Sequence, residues 1–160
     1  MGENILKQVS REKSEKQSDK VSLLKHTSQV RVRFNEADPL GIVWHGHYIR
    51  FMEDGREEFG RKYGISYLDF YNNGLVVPVV SVNCDFKSPL RYGDIMDVEV
   101  AYHNTRSAKI CFDYIIRHSN KGNVVAKGSS TQVFVDYKSF DLHLTVPSFF
   151  EEWKKKMNLI

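Results

Sequence analysis

The sequence predicts an α+β fold in which one long helix packs against about five antiparallel strands. Two observations carry this prediction. Apolar residues recur at helical spacing around residue 50, and they alternate with polar residues in several other stretches. The chain has 160 residues, of which 41% are hydrophobic, so it is long enough for one domain with its own core.

The first predicted elements are a strand, a turn and the long helix. Residues 30–35 alternate between apolar and polar, which is typical of a half-buried strand. Residues 38–41, with the sequence DPLG, have the residue order of a β-turn. The helix is predicted from about residue 46 to residue 63, with Gly64 just beyond its C-terminus.

The rest of the chain is predicted to form mostly strands. A short helical piece comes first, and a final helix follows the strands, with Ser148 and Glu151 predicted to form a capping box at its start. Alternation of apolar and polar residues is cleanest in the third of these strands. The short helical piece covers residues 66–71, and the strands cover 76–87, 95–104, 107–118 and 124–137.

Composition argues against several functional classes. The net charge is +3 without a dominant basic run, so charge does not predict a nucleic-acid partner. Cys84 and Cys111 are far apart in sequence, which favours neither a disulfide framework nor a structural zinc site.

No apolar run approaches the roughly 20 residues of a membrane span. Residues 1–25 lack the apolar core of a signal peptide. They are predicted to form a flexible or helical extension before a domain over residues 26–160, and a cytoplasmic location is expected.

Residues 34–51, with the sequence FNEADPLGIVWHGHYIRF, carry the chemistry. Asp38 lies in the predicted turn, seven residues before His45 at the predicted helix start. A helix N-terminus offers free N–H groups and positive dipole charge, which stabilise the oxyanion formed when a carbonyl is attacked. Asp38 is predicted to act as a general base on water or to attack the carbonyl itself. Gly46 allows close approach of backbone and ligand.

This stretch resembles the hotdog-fold thioesterases of the 4-hydroxybenzoyl-CoA thioesterase-like family. The family pattern D-P-x-G-I-V-W-[HY]-x-x-Y occurs at residues 38–48. Residues 51–56 look like the family pattern F-x-E-x-x-R, and residues 80–94 are similar to its second strand and the following turn. The resemblance spans roughly residues 27–150.

The resemblance implies a long central helix wrapped by a five-stranded antiparallel sheet. It also implies a homodimer or homotetramer with active sites at the dimer interface. Asp38 would be the catalytic carboxylate. The backbone N–H of His45 would polarise the thioester carbonyl, and its side chain would position water or substrate. Tyr48 would help to shape the site.

Further substrate contacts are expected from the same resemblance. Lys87 and Arg91 are candidates for holding the nucleotide phosphates, and Gly46 for close contact with the substrate. Trp44 is expected either in the core or interface or as a stacking surface for adenine. One departure from the family is Phe34, which stands where a tyrosine is frequent.

The predicted function is hydrolysis of an acyl-CoA or acyl-carrier-protein thioester, with no metal or redox cofactor. Two rivals stay open: a hotdog hydratase or dehydratase of 3-hydroxyacyl thioesters, and a non-catalytic acyl-CoA-binding module. A structural reading also exists for Asp38, because an Asp before Pro is often only a turn residue. His45 and His47 have a spacing that metal ligands use, but no third ligand is evident nearby, so a metal site is not predicted.

Overall fold

The computed structural model describes residues 24–160. The predicted extension over residues 1–25 lies almost wholly outside that range. The strands are β1 (Lys25–Arg31), β2 (Leu75–Val76), β3 (Val79–Phe86), β4 (Ile95–His103), β5 (Lys109–His118), β6 (Val124–Val133) and β7 (Val135–Asp136), and the α-helices are α1 (His47–Tyr63), α2 (Tyr67–Asn72) and α3 (Ser148–Lys156).

The main sheet has five antiparallel strands in the order β1-β4-β5-β6-β3, and α1 packs against it. Gly55 lies at a close approach of helix and sheet, because a Cβ there would be 2.8 Å from Cγ1 of Val98. One long helix on a five-stranded antiparallel sheet confirms the predicted α+β fold. Alternate residues of β4 and β5 point into the core: Met96, Val98, Val100, Tyr102, Ile110, Phe112, Tyr114 and Ile116.

Two predicted strands are each divided in the structure. The stretch predicted over residues 76–87 breaks at Pro78, which has no N–H to continue a ladder. The stretch predicted over residues 124–137 breaks at the buried Phe134. The two short pieces, β2 and β7, leave the main sheet and pair with each other.

The start of the last helix differs from its prediction. Pro147 occupies the N-cap of α3, and no side chain caps the helix there, so the capping box predicted for Ser148 and Glu151 is wrong. Glu151 instead pairs with Lys155 one turn later, at 3.0 Å. The helix is held by its apolar face and by Trp153, whose Nε1–H donates to the carbonyl of Tyr63 at 2.7 Å.

Strand β3 differs from the inner strands because it is exposed almost along its whole length. It lies at the edge of the sheet, with β6 as its single neighbour. Its apolar side chains include Val80, which is 59% exposed, and Phe86, which is 52% exposed. Within residues 24–160, no helix is both long and apolar enough for a membrane span.

Candidate active site

The segment that carries Asp38 folds as a tight antiparallel turn. Ala37 and Val43 form an isolated bridge, and the Asp38 amide donates to the Ile42 carbonyl at 2.8 Å. Gly41 closes the turn in the left-handed region, at φ 76°, as the DPLG sequence predicts. Asp38 is therefore held beside the segment that leads directly into α1.

The Asp38 carboxylate is half-buried and only partly engaged. Its Oδ1 accepts the Leu40 amide at 2.8 Å, which is the local turn contact expected of an Asp before Pro. No group among residues 24–160 donates a hydrogen bond to its Oδ2. The turn therefore fixes the carboxylate through one oxygen and leaves the other available to water or to a substrate.

No side chain caps the start of α1. The residue at the N-cap position is Gly46, no side chain accepts a hydrogen bond from the amides of the first turn, and that turn contains no acidic residue. Within residues 24–160, the amides of His45 and Gly46 have no hydrogen-bond acceptor. Free amides and the positive end of a 17-residue helix together favour a negative charge at this point.

An aromatic wall stands beside these amides. The His45 ring lies 4.9 Å from the Trp44 indole and 6.4 Å from the Phe86 ring, measured between centroids. Tyr48 is 3% exposed and contacts Phe86 edge-on at 5.2 Å. Burial raises the pKa of Tyr48, against a smaller opposite effect of its hydrogen bond with the Leu90 backbone. Tyr48 is therefore a buried, neutral ring that packs against Phe86.

The indole of Trp44 covers Gly46. A Cβ at position 46 would collide with the six-membered part of the ring, so glycine is required for this arrangement. The Trp44 side chain is 48% exposed, which places it at the rim of the site and outside the core. His45 and His47 each contact this indole, the latter at 5.5 Å.

Two features of the site are not evident from the sequence. One is Phe86, at the end of the exposed strand β3, which joins His45 and Tyr48. The other is Glu36, which is 2% exposed although it is an acid in a loop. Glu36 accepts the Arg33 amide at 2.8 Å and pairs with Arg50 on the first turns of α1.

The Glu36–Arg50 pair, which we call the latch, joins the turn that carries Asp38 to helix α1. The carbonyl of Glu36 also accepts the Trp44 amide at 3.0 Å, so both ends of the turn meet at this residue. Asp38 is only two residues further along, so the latch ties the backbone next to it to α1.

Lys87 and Arg91 lie at the same end of the molecule, with exposed side chains. Lys87 directly follows Phe86, and its amide donates to the Val125 carbonyl at 2.8 Å. Arg91 follows Leu90, whose carbonyl accepts the Val43 amide at 2.8 Å.

No group of three or more His, Cys, Asp or Glu side chains in the described part of the chain could hold a metal ion.

A family model described as the thioesterase-like superfamily matches residues 32–154. The chain belongs to this superfamily. A Bacillus subtilis protein named "Putative acyl-CoA thioesterase YneP" is 33% identical to it over 70% of this chain and 80% of that protein. The chloroplast acyl-acyl carrier protein thioesterase ATL3 of Arabidopsis thaliana is 28% identical over 71% of this chain and 60% of that protein.

Solved structures agree with the fold. The DHNA-CoA thioesterase of Staphylococcus aureus superposes with a TM-score of 0.76 at 22% identity, over 84% of this chain and 89% of that one. The fold is thus the hotdog of this superfamily, a helix wrapped by a sheet. This thioesterase-like chain is an enzyme of thioester hydrolysis, as the sequence analysis predicts.

Proposed function

We propose that Asp38 and the open start of α1 together hydrolyse an acyl-CoA thioester. The observation that carries this proposal is the pairing of a half-engaged carboxylate with two amides that lack acceptors. The thioester oxygen would accept from the amides of His45 and Gly46, which offset the negative charge as the tetrahedral intermediate forms. The side chain of His45 would position water or the sulfur beside them.

The free Oδ2 of Asp38 fits two routes. In one, it takes a proton from water while the water oxygen attacks the carbonyl carbon, and the coenzyme thiolate leaves and is reprotonated. In the other, Oδ2 attacks the carbon directly, which expels the thiolate and forms a mixed anhydride that water then hydrolyses. Both routes use the same oxyanion site and end in a carboxylic acid and a thiol.

We infer that the acyl group extends along α1. A cavity of about 180 Å³ begins beside Ile49 and Met52, one turn into the helix, and is also lined by Val79 and Val82 of β3. A second cavity, of about 440 Å³, adjoins it further along the helix. Trp44, Gly46 and Tyr48 would line the thioester end, with Lys87 and Arg91 further out.

We also propose that two copies pair through β3 to form a homodimer. An edge strand with exposed valines and an unpaired edge is a template for pairing with another strand. A second β3 there would cover Val80 and Val82 and close the cavity beside α1. Dimers of this kind can associate further into tetramers.

A charge on β3 tests the dimer. Val82→Asp would place a carboxylate in the covered surface, so sedimentation velocity should show a monomer with greatly reduced activity. Leu144→Asp is the matched control, because Leu144 is 85% exposed and lies outside β3. A Val82→Asp protein that sediments like the wild type would exclude this interface.

Asp38→Asn tests the catalytic proposal. Thiol release from a panel of acyl-CoAs should fall by about 10³-fold, since a positioned carboxylate contributes 10²–10⁴-fold as a base. Binding of the acyl-CoA should be retained. Asp136→Asn is the matched control, because the Oδ1 of Asp136 also accepts turn amides, those of Lys138 and Ser139, away from the site.

Other outcomes identify the rivals. Hydration of an enoyl-CoA by the wild type, with no thiol release, would indicate a hydratase. Tight binding of acyl-CoA without turnover would indicate a binding module. Unchanged hydrolysis by Asp38→Asn would remove Asp38 from the mechanism while leaving the thioesterase activity in place.

We place the activity in the cytoplasm. Cys84 and Cys111 are both free thiols and both half-buried in strands, which suits a reducing compartment. Fractionation of the source cells with detection of the protein tests this proposal, and recovery in an oxidising compartment would contradict it.

A further inference from the structure

Two aromatic rings project from the surface near the catalytic turn. Phe34 is 81% exposed and Tyr92 is 64% exposed, although each is a large apolar ring. They meet edge to face, with centroids 5.7 Å apart. Together with residues 29–33 they line an open cavity of about 590 Å³, within the size range of small-molecule sites. We call this pair the aromatic platform.

Backbone hydrogen bonds hold the platform in place. The Gly93 amide donates to the Val32 carbonyl at 3.1 Å, and the Val32 amide donates to the Asp94 carbonyl at 2.9 Å. Gly93 lies in the left-handed region at φ 83°, which lets the turn carrying Tyr92 fold back against the end of β1. The two rings are therefore positioned before any ligand arrives.

Two exposed arginines, Arg31 and Arg33, line the cavity beside the platform, and the exposed Arg91 directly precedes Tyr92. None of them forms an ion pair with another residue of the described chain. The carboxylate of Asp94, in the same turn, already accepts the Arg91 amide at 2.8 Å and lies 3.5 Å from Nε2 of His118. Arg33 is also within electrostatic reach of Asp54 on α1. The surface around the two rings is thus predominantly positive.

Nη1 of Arg31 donates to the Gly93 carbonyl at 3.3 Å, and no carboxylate among residues 24–160 neutralises its charge. An aromatic face beside guanidinium groups without a carboxylate partner suits a nucleobase that carries phosphates. Bases of any sequence stack on aromatic side chains, and guanidinium groups form bidentate hydrogen bonds to phosphate oxygens. A purely apolar partner would leave the positive charge of the arginines without a counter-charge. The charge of the surface therefore favours an anionic nucleotide over a second copy of this chain, which has a net charge of +3.

We propose that the platform binds the adenine nucleotide end of the coenzyme A thioester. The adenine would stack on the face of Tyr92, with the perpendicular ring of Phe34 against its edge, and the phosphates would contact Arg31 and Arg91. The platform is close to the site in the chain, because Phe34 precedes Asp38 by four residues. The pantetheine arm would run from there to the helix start. This inference rests on the proposed function and selects coenzyme A over a carrier protein.

The experiment compares two thioesters of the same acyl group, one of coenzyme A and one of pantetheine. In Tyr92→Ala the KM for the coenzyme A thioester should rise about tenfold, since one stacked base is lost. The kcat should not change, and neither should either constant for the pantetheine thioester. Arg91→Gln should show the same split and a weaker dependence of KM on salt. Phe140→Ala removes another exposed ring and is the matched control.

A binding measurement separates this inference from the proposed function. Adenosine 3′,5′-bisphosphate should bind the wild type in calorimetry, and Tyr92→Ala should weaken that binding even if no thioester is hydrolysed. Equal effects of Tyr92→Ala on both thioesters, or no effect on either, would overturn the platform as a nucleotide site. A change in sedimentation of Tyr92→Ala would instead assign the platform to contacts between copies.

Discussion

The helices α1 and α2 begin in opposite ways. At α2, Ser66 and Asp69 form a capping box: the Ser66 Oγ accepts the Asp69 amide at 3.3 Å, and Asp69 accepts the Ser66 amide at 2.8 Å. At α1, the cap is Gly46, which has no side chain to offer. The helix of six residues is capped by side chains, and the helix of seventeen residues is left open.

The difference indicates where the amides are needed. Losing a cap costs about 1 kcal/mol, which a short helix cannot easily lose. α1 tolerates that cost because Phe51, Met52 and Phe59 bury one face of it in the core. The contrast supports the proposal that the free amides of α1 serve a ligand, whereas the capped start of α2 would be purely structural. Four substitutions test whether the two helix starts differ in function as well as in structure.

Removing one open amide should have the largest effect. Gly46→Pro deletes the N–H, and the φ of −64° at this position suits proline. Because any Cβ at position 46 meets Trp44, the substitution is made together with Trp44→Ala. We expect kcat to fall about 10²–10³-fold relative to a double variant that keeps the amide, the usual loss for one oxyanion donor.

The reference for this measurement is Trp44→Ala combined with Gly46→Ala, which has the same space and retains the N–H. Circular dichroism and thermal melting of the two double variants should agree closely. Equal kcat values in the two would show that the Gly46 amide plays no part in the reaction, and the functional contrast between the helix starts would fail.

Breaking the latch should have the next largest effect. Arg50→Met leaves the buried Glu36 carboxylate without its guanidinium, and the free energy of unfolding should fall by about 2 kcal/mol. The kcat should also decrease, because Asp38 is then held less firmly beside the helix start. Urea unfolding and steady-state kinetics measure the two effects.

A double-mutant cycle gives the control for the latch. Combining Arg50→Met with Glu36→Gln removes the buried charge, so part of the lost stability should return. Additive losses of stability would mean that Glu36 and Arg50 do not interact in solution. A normal kcat in Arg50→Met would mean that the catalytic turn keeps its position without the latch.

The latch also shows what the sequence could not reveal. The pattern DPLG predicts the turn because Gly41 must take a positive φ, and helical spacing predicts α1 to within one residue of its observed start. An acid in a loop such as Glu36 looks solvated in sequence, since its burial depends on Arg50, fourteen residues further along. That pairing arises only after the turn has packed against the helix.

Periodicity misleads at two other places for similar reasons. The alternation of β1 continues to Phe34, but the backbone has already entered a 3-10 turn there, and the ring is exposed. The apolar residues of β3 resemble those of a core strand, yet all of them except the half-buried Cys84 are exposed. In both cases the apolar periodicity predicts burial, but tertiary packing determines whether each side chain is buried or exposed.

Removing the cap of α2 should have a moderate effect on stability alone. In Ser66→Ala the free energy of unfolding should decrease by about 1 kcal/mol, the typical loss for an N-cap. The kcat should be the same as in the wild type, because the amides of α2 are structural. Chemical denaturation and thiol release measure both quantities. A large decrease in kcat would mean that the start of α2 also contributes to the site.

The smallest expected effect comes from giving α1 the acidic first turn that α2 already has. His47→Glu places a carboxylate beside the positive end of the helix, so the free energy of unfolding should increase by about 0.5 kcal/mol. The same charge opposes an oxyanion at the neighbouring amides, so kcat should fall about threefold. Stability and activity thus move in opposite directions, which simple damage to the fold would not produce.

His47→Gln controls for loss of the imidazole, and high salt should reduce both effects of the charge. If His47→Glu and His47→Gln have the same kcat at low salt, no negative charge develops at this helix start during the reaction.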